Sequence, residues 1–249
     1  MSLMERLGDR LEGKGKAIIY GIVGVIVLAA LVGVWLRWSH KKTDEARRAM
    51  GRAITIAAAP ITPAPSTDPT NPTFSSERER ATRAVEEFQK VAAKYGEPYR
   101  SEAQYFIATN QLTLDRNQGL ATLSELTKSS NKDVATLAKF ALGQAKEADG
   151  NLDEAAQIYR ELAAQGSSIV TPATANLRLA IVFDKQGKKQ DASDLLFNII
   201  DSARKAKDAE GNPLPESAAA REASKELQRI DSARYAQLTP EIPGSDLSF

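Results

Sequence analysis

The stretch Leu142-Gly143-Gln144-Ala145-Lys146-Glu147-Ala148-Asp149-Gly150-Asn151-Leu152-Asp153-Glu154-Ala155-Ala156-Gln157-Ile158-Tyr159-Arg160-Glu161-Leu162 decides the fold. It reads as two helices joined by a tight turn, with Gly150 placed to end the first helix in the left-handed conformation. The same pattern returns 37 residues later as Leu179-Ala180, Gly187-Lys188-Lys189, Ala192, Leu196 and Ile199. An earlier copy, 35 residues before, reads Ile107-Ala108, a turn near Asp115, then Leu120. Ala84, Phe88 and Val91 match the second helix of a still earlier copy, 36 residues before Leu120.

A packing logic explains the pattern. A small residue on the first helix (Ala108, Gly143, Ala180) lets it approach the second, where another small residue (Ala84, Ala155, Ala192) faces a neighbour. A large apolar residue (Phe88, Tyr159, Leu196) fills the seam with the next pair. One hairpin cannot bury its apolar face alone, whereas a stack can. The pattern resembles the tetratricopeptide repeat, whose period is about 34 residues. In the second copy Leu120 stands where a small residue is expected and Ser124 where an aromatic is expected.

Breaks are predicted near Gly96-Glu97-Pro98, Asn117-Gln118-Gly119, Ser129-Ser130-Asn131, Gly150-Asn151, 166–172, Gly187-Lys188 and Gly211-Asn212-Pro213. No run of alternating β-branched residues appears, so the expected class is all-α. Residues 216–236 are predicted as one cap helix, with Ala219, Ala220, Ala223, Leu227 and Ile230 facing inward and Glu222, Arg229 and Arg234 facing water.

Upstream, Ala17 to Leu36 carries no charge. As a helix at ~1.5 Å per residue, this run crosses the ~30 Å hydrocarbon core of a bilayer. Tyr20 stands near one interface and Trp35 and Trp38 near the other, in an aromatic-belt arrangement. Ala17 and Gly21, and Ala29 and Gly33, have the four-residue spacing of close helix packing. Residues 1–52 carry ten Lys/Arg against five Asp/Glu, while the rest of the chain is faintly acidic. The loop charges slightly favour a cytoplasmic location for the large part, with six basic residues after the span and four before it.

Ala46, Ala49, Met50, Ala53, Ile54 and Ala57 then form one helical face. Pro60, Pro63, Pro65, Pro69 and Pro72 end that helix in an extended loop. The expected organisation is a basic tail (1–16), a transmembrane helix (17–38), a helix continuing from it (39–59), a proline-rich loop (60–73), a repeat domain of three to four helix pairs plus a cap (74–236) and a C-terminal tail (237–249). Residues 42–58 would supply the first helix of the first pair, with the proline loop inserted within that pair.

Composition narrows the function. The chain has 249 residues, no cysteine and one histidine, His40. That excludes disulfides and thiolate chemistry, and it leaves no pair of imidazoles for a site. Gly13-Lys14-Gly15-Lys16 lacks the spacing and the preceding strand of a phosphate loop. The faintly acidic body offers no clustered Lys/Arg for phosphate contacts, so no nucleic-acid partner is expected. No nucleophile is paired with a base, so no catalytic residue, cofactor or metal is assigned and the chain reads as a non-enzyme. His40 with Asp44 and Glu45 is better read as headgroup-level surface than as a metal site. Glu86 and Lys90 are spaced for a solvated i,i+4 pair.

The basic N-terminus, the span, and the phrase Ala84-Val85-Glu86-Glu87-Phe88-Gln89-Lys90-Val91 with Tyr95-Gly96 resemble the YfgM-type ancillary subunits of the bacterial SecYEG translocon. The resemblance implies a single-pass inner-membrane protein with a periplasmic repeat domain, against the weak charge count. It also implies partners among translocon subunits, a membrane-bound chaperone or envelope proteins. In tetratricopeptide repeats the first helix of each pair lines the concave face. The corresponding positions here are Tyr105 and Thr109, Phe140 and Gln144, and Leu177 and Ile181. They form a candidate protein-binding stripe, or in part a seam against the cap helix. A coordinator of envelope assembly or division, or a cytoplasm-facing adaptor, is the alternative function.

Overall fold

The computed structural model describes residues 42–66, 68 and 71–238. The chain divides into two compact units, Met1–Arg52 and Ala53–Phe249. Residues 42–57 are helical (α1); Ala46, Met50 and Ala53 are buried, whereas Ile54 is exposed. Next come α2 (Glu77–Lys94), α3 (Tyr99–Leu114), α4 (Arg116–Leu126), α5 (Lys132–Ala148) and α6 (Leu152–Gln165). The order ends with α7 (Pro172–Lys185), α8 (Lys189–Lys205), α9 (Ala218–Ile230) and the single turn α10 (Ser232–Tyr235).

Among the described residues there is no strand, only isolated bridges between Ile61 and Phe74 and between Lys207 and Pro213. No helix among them is long and apolar enough to cross a membrane. The predicted tail 1–16, the span 17–38 with Tyr20, Trp35 and Trp38, and His40 lie outside the described residues.

Side chains at the helix ends set the boundaries. Ser76 caps α2 by accepting from the Glu79 N–H, while the Glu79 carboxylate reaches back to the Ser75 N–H at 3.0 Å. Two orphan donors are thereby satisfied reciprocally. Asp115 ends α3 and caps α4, accepting from the Gln118 N–H at 3.1 Å. Asn131, Thr171 and Ser217 cap α5, α7 and α9 in the same way. Gly150 and Gly187 both have φ of 77°. The next N–H in each case reaches back five residues, from Asn151 to Lys146 O and from Lys188 to Phe183 O. This is the Schellman stop that the sequence predicted at both positions.

In the second unit each helix packs on its sequence neighbours; α3 also meets α5, and α7 meets α9. This is an all-helical stack consistent with an α-solenoid. The seams recur: Ala84, Gly119, Ala155 and Ala192 are buried, as are Phe88, Leu123, Tyr159 and Leu196, and Val91, Leu126, Leu162 and Ile199. Burial of each large side chain is worth about 1.5–3 kcal/mol.

This corrects the second copy. Its small residue is Gly119 and its large one Leu123, one position before the expected Leu120 and Ser124, and Ser124 is exposed. Of the two positions the sequence offered for this break, near Asp115 and near 117–119, the turn falls at Asp115, which caps the following helix through the Gln118 N–H. A Cβ on Gly119 would lie 2.7 Å from the Leu112 backbone nitrogen and 3.0 Å from the Ala108 carbonyl oxygen. Only glycine allows α3 and α4 this approach.

Two further expectations change. The cap is not one helix over 216–236: Asp231 ends α9, accepts from the Arg234 N–H and starts α10. Arg234 does not simply face water, since its guanidinium bonds Asp194 at 3.1 Å and lies 4.6 Å from the Phe197 ring centre. On α2, Lys90 pairs with Glu87 and Glu86 with Arg83, so the i,i+4 pair is replaced by two i,i+3 pairs.

Candidate functional site

The predicted stripe is mostly committed to packing. Tyr105 is half-buried against Ala108, Leu123, Leu126, Val134 and Ala138, and this burial pushes its phenol pKa up. The Thr109 hydroxyl donates to the Phe106 carbonyl at 3.0 Å. Phe140 leans on the central core with its ring 5.9 Å from Tyr159. Leu177 is only 8% exposed, in one cluster with Leu196, Ile199 and Leu227, and Ile181 is half-buried against that cluster. Gln144 is exposed. The helical repeat thus places the six residues on α3, α5 and α7 as expected, but Leu177 belongs to the seam with the cap helix.

Beside the stripe lies a buried polar cluster that spacing alone did not reveal. A Cβ on Gly143 would come within 2.9 Å of Tyr159 Cε1. The Tyr159 ring therefore rests on the glycine, and its hydroxyl extends one turn along α5 to donate to Glu147 Oε2 at 3.1 Å. Glu147 also pairs with the Arg178 guanidinium, and it accepts from Lys185 Nζ at 2.7 Å. Its side chain is 2% exposed.

Burial would raise the Glu147 pKa, but Lys185, Arg178 and Tyr159 together outweigh it and hold the carboxyl below the usual range. Tyr159 is pushed upward, mainly by burial, with the Glu147 charge adding to it. These four side chains lock α5, α6 and α7 together. The legible signal was a glycine with an acid four residues on, facing a tyrosine, which i,i+4 neighbours on one helix face permit.

The open surface is a groove of about 580 Å³ at the last hairpin. One wall is α8, where Leu195, Asn198, Ile199, Ser202 and Ala203 share a face at i, i+3, i+4, i+7 and i+8. The first turn of α7, with Ala173 and Asn176, makes the other wall, and Leu214 and Pro215 overhang one side. Leu214 is 45% exposed, the highest value among the large hydrophobics described. It is held there from both sides. Upstream, the Asp208 carboxylate gathers the Glu210 and Asn212 N–H groups into a tight turn. Downstream, Glu216 pairs with Arg204 at 3.0 Å, both side chains 8% exposed.

A second hollow, between the α4–α5 turn and residues 166–168, is polar. Its Lys132 and Lys139 are accompanied by Asp133 and by Glu161, which Lys139 contacts at 3.0 Å, so it offers no net charge to an anion. Among the described residues no three His, Cys, Asp or Glu side chains converge on a metal-sized site. The groove at the last hairpin offers apolar contact from Leu195, Ile199 and Leu214 and amide groups from Asn176 and Asn198. No family model matches the chain, and no curated protein or solved structure matches it.

Proposed function

We propose that the chain is a membrane-anchored scaffold of the bacterial cell envelope, built on tetratricopeptide-type repeats and acting by protein–protein contact and not by catalysis. The observation that carries this reading is the fourfold recurrence of a buried small, large and aliphatic residue on α2, α4, α6 and α8 at spacings of 35, 36 and 37 residues. Such a stack presents one long surface to a partner. The uncharged run Ala17–Leu36, flanked by lysines and aromatics, supports a single-pass anchor in the inner membrane. The resemblance to YfgM-type subunits supports a periplasmic repeat domain working beside the translocon, a membrane-bound chaperone or other envelope proteins.

The stripe remains a docking surface in this reading, through Tyr105, Thr109, Phe140, Gln144 and Ile181 and without the buried Leu177. The test is photocrosslinking in cells from a benzophenone amino acid at Thr109 or Gln144. Recovery of translocon or chaperone subunits supports the proposal. Recovery of cell-wall synthases alone favours the coordinator of envelope assembly instead, and recovery of no envelope protein, or protection of the repeats from protease in cells with opened outer membranes, contradicts the proposal.

A further inference from the structure

The outer face of α8 is complementary to itself. We propose that it pairs with the same face of a second copy of the chain, antiparallel, about a two-fold axis at Asn198. The inference does not depend on the envelope reading.

The face is a single line of side chains. Asp191, Leu195, Asn198, Ser202 and Lys205 fall at i, i+4, i+7, i+11 and i+14 on α8, within an arc of about 80° at 100° per residue. Leu195 is half-buried and the other four are exposed. Among the described residues, the side chains of Asp191 and Asn198 make no hydrogen bond or ion pair. Lys205 bonds only Asp201 of its own helix, at 2.7 Å. The flanking Asp194 is taken up by Arg234.

The charges carry the argument. In a two-fold contact, residue i meets residue j and j meets i. A charge on the axis would face its own copy, but the axial residue here is Asn198, whose carboxamide both donates and accepts. Asp191 stands seven residues before it and Lys205 seven after it. Antiparallel pairing therefore sets Asp191 of each copy against Lys205 of the other. Parallel pairing would set aspartate on aspartate and lysine on lysine, which is repulsive. The helix dipole also favours an acid in the first turn and a base in the last, but it does not select the face they occupy. Here both lie on the line through Asn198.

The apolar groups agree with the same axis. The Leu214 N–H bonds the Ala206 carbonyl at 3.0 Å, so the exposed leucine stands beside the C-terminal end of α8. Antiparallel pairing brings the N-terminal half of the second α8, with its Leu195, to that end. The groove alongside has no charged lining residue, so two copies meet without burying an unpaired charge.

The chain has no cysteine, so introduced thiols are unique, and the exposed positions used spare the core. In the full chain in detergent micelles, Asn198→Cys should oxidise to a disulfide-linked dimer, whereas Thr82→Cys on exposed α2 should not. Asp191→Cys alone should not link, because its two thiols lie about 21 Å apart along the paired helices. An equimolar mixture of Asp191→Cys and Lys205→Cys should link. Adding Asp191→Lys or Lys205→Asp to Asn198→Cys turns both ion pairs into like-charge contacts and should slow linkage about tenfold. Adding both reversals together should restore it. Failure of Asn198→Cys to link would give the face to a different partner and overturn the proposal. So would equal linkage of Thr82→Cys, linkage of Asp191→Cys alone as fast as the mixture, or a double reversal no faster than the single ones.

Discussion

Replacing Glu147 by alanine should be among the most damaging single changes outside the aliphatic core. The truncation leaves the buried Tyr159 hydroxyl without an acceptor, at a cost of about 1–3 kcal/mol. It also strands the Arg178 guanidinium, whose Nε already lacks a partner. Breaking a fully buried ion pair costs about 3–5 kcal/mol. Arg178 and Lys185 retain 29% and 49% exposure, so water compensates part of that loss. The expected sum is about 2–4 kcal/mol, read by urea denaturation of the full chain with tyrosine fluorescence and circular dichroism.

Tyr159→Phe removes one hydrogen bond and should cost about 0.5–1.5 kcal/mol. The double variant should fall short of the sum by about 0.5–3 kcal/mol, because the two side chains share the bond. The cluster also predicts an acid limb. Glu147 has its pKa depressed below the ordinary 4.5, so its stabilising contribution is complete above that value and is lost as pH falls through the folded-state pKa. Glu147→Gln should flatten this limb. A loss under about 0.5 kcal/mol for Glu147→Ala, with the acid limb unchanged, would refute the claim that the cluster locks the two hairpins, since surface substitutions fall in that range.

The corrected register gives a sharp comparison: Leu123→Ala should cost about 2–5 kcal/mol, whereas the half-buried Leu120→Ala should cost clearly less in the same denaturation assay. Arg204→Ala leaves Glu216 charged and buried, so a loss of about 3–5 kcal/mol is expected, with much of it regained in Arg204→Met/Glu216→Leu. Gly150→Ala places a Cβ at a φ of 77° and should lower the melting temperature, even though no atom lies within 4 Å of the new group.

The all-α class and the hairpin rhythm were legible because glycine turns and small-large spacings are local signals. Gly150 and Gly187 sit where the text of the sequence puts them, in the conformation it requires. The second copy was misaligned by one residue because Gly119 looks like a breaker. Its role as a contact is set by the backbone of α3, which sequence does not display. The Glu147 cluster joins residues 31 and 38 positions apart, beyond any periodic reading. Leu177 was legible only as stripe or cap-helix seam, because an apolar residue on the first helix of a pair looks alike whether a partner protein or the chain's own cap helix covers it; it clusters with Leu227 of the cap helix. The groove depends on where the 206–217 loop turns, a feature fixed by Asp208 and by the Arg204–Glu216 pair and not by any repeat.

The central claim is that the paired helices of the repeat touch at recurring small residues, and Gly119→Ala tests it most directly. In an open helix this change stabilises by about 0.8–1 kcal/mol, and Gly51→Ala, with nothing within 4 Å of the new Cβ, serves as the control that should not destabilise. At position 119 the Cβ meets backbone at 2.7 Å, which cannot step aside as a side chain end can. The overpacking cost of about 1–3 kcal/mol, with separation of α3 from α4 added, should give a net loss of about 1–2 kcal/mol in urea denaturation. A gain in stability equal to that of Gly51→Ala would contradict the close approach on which the stack depends.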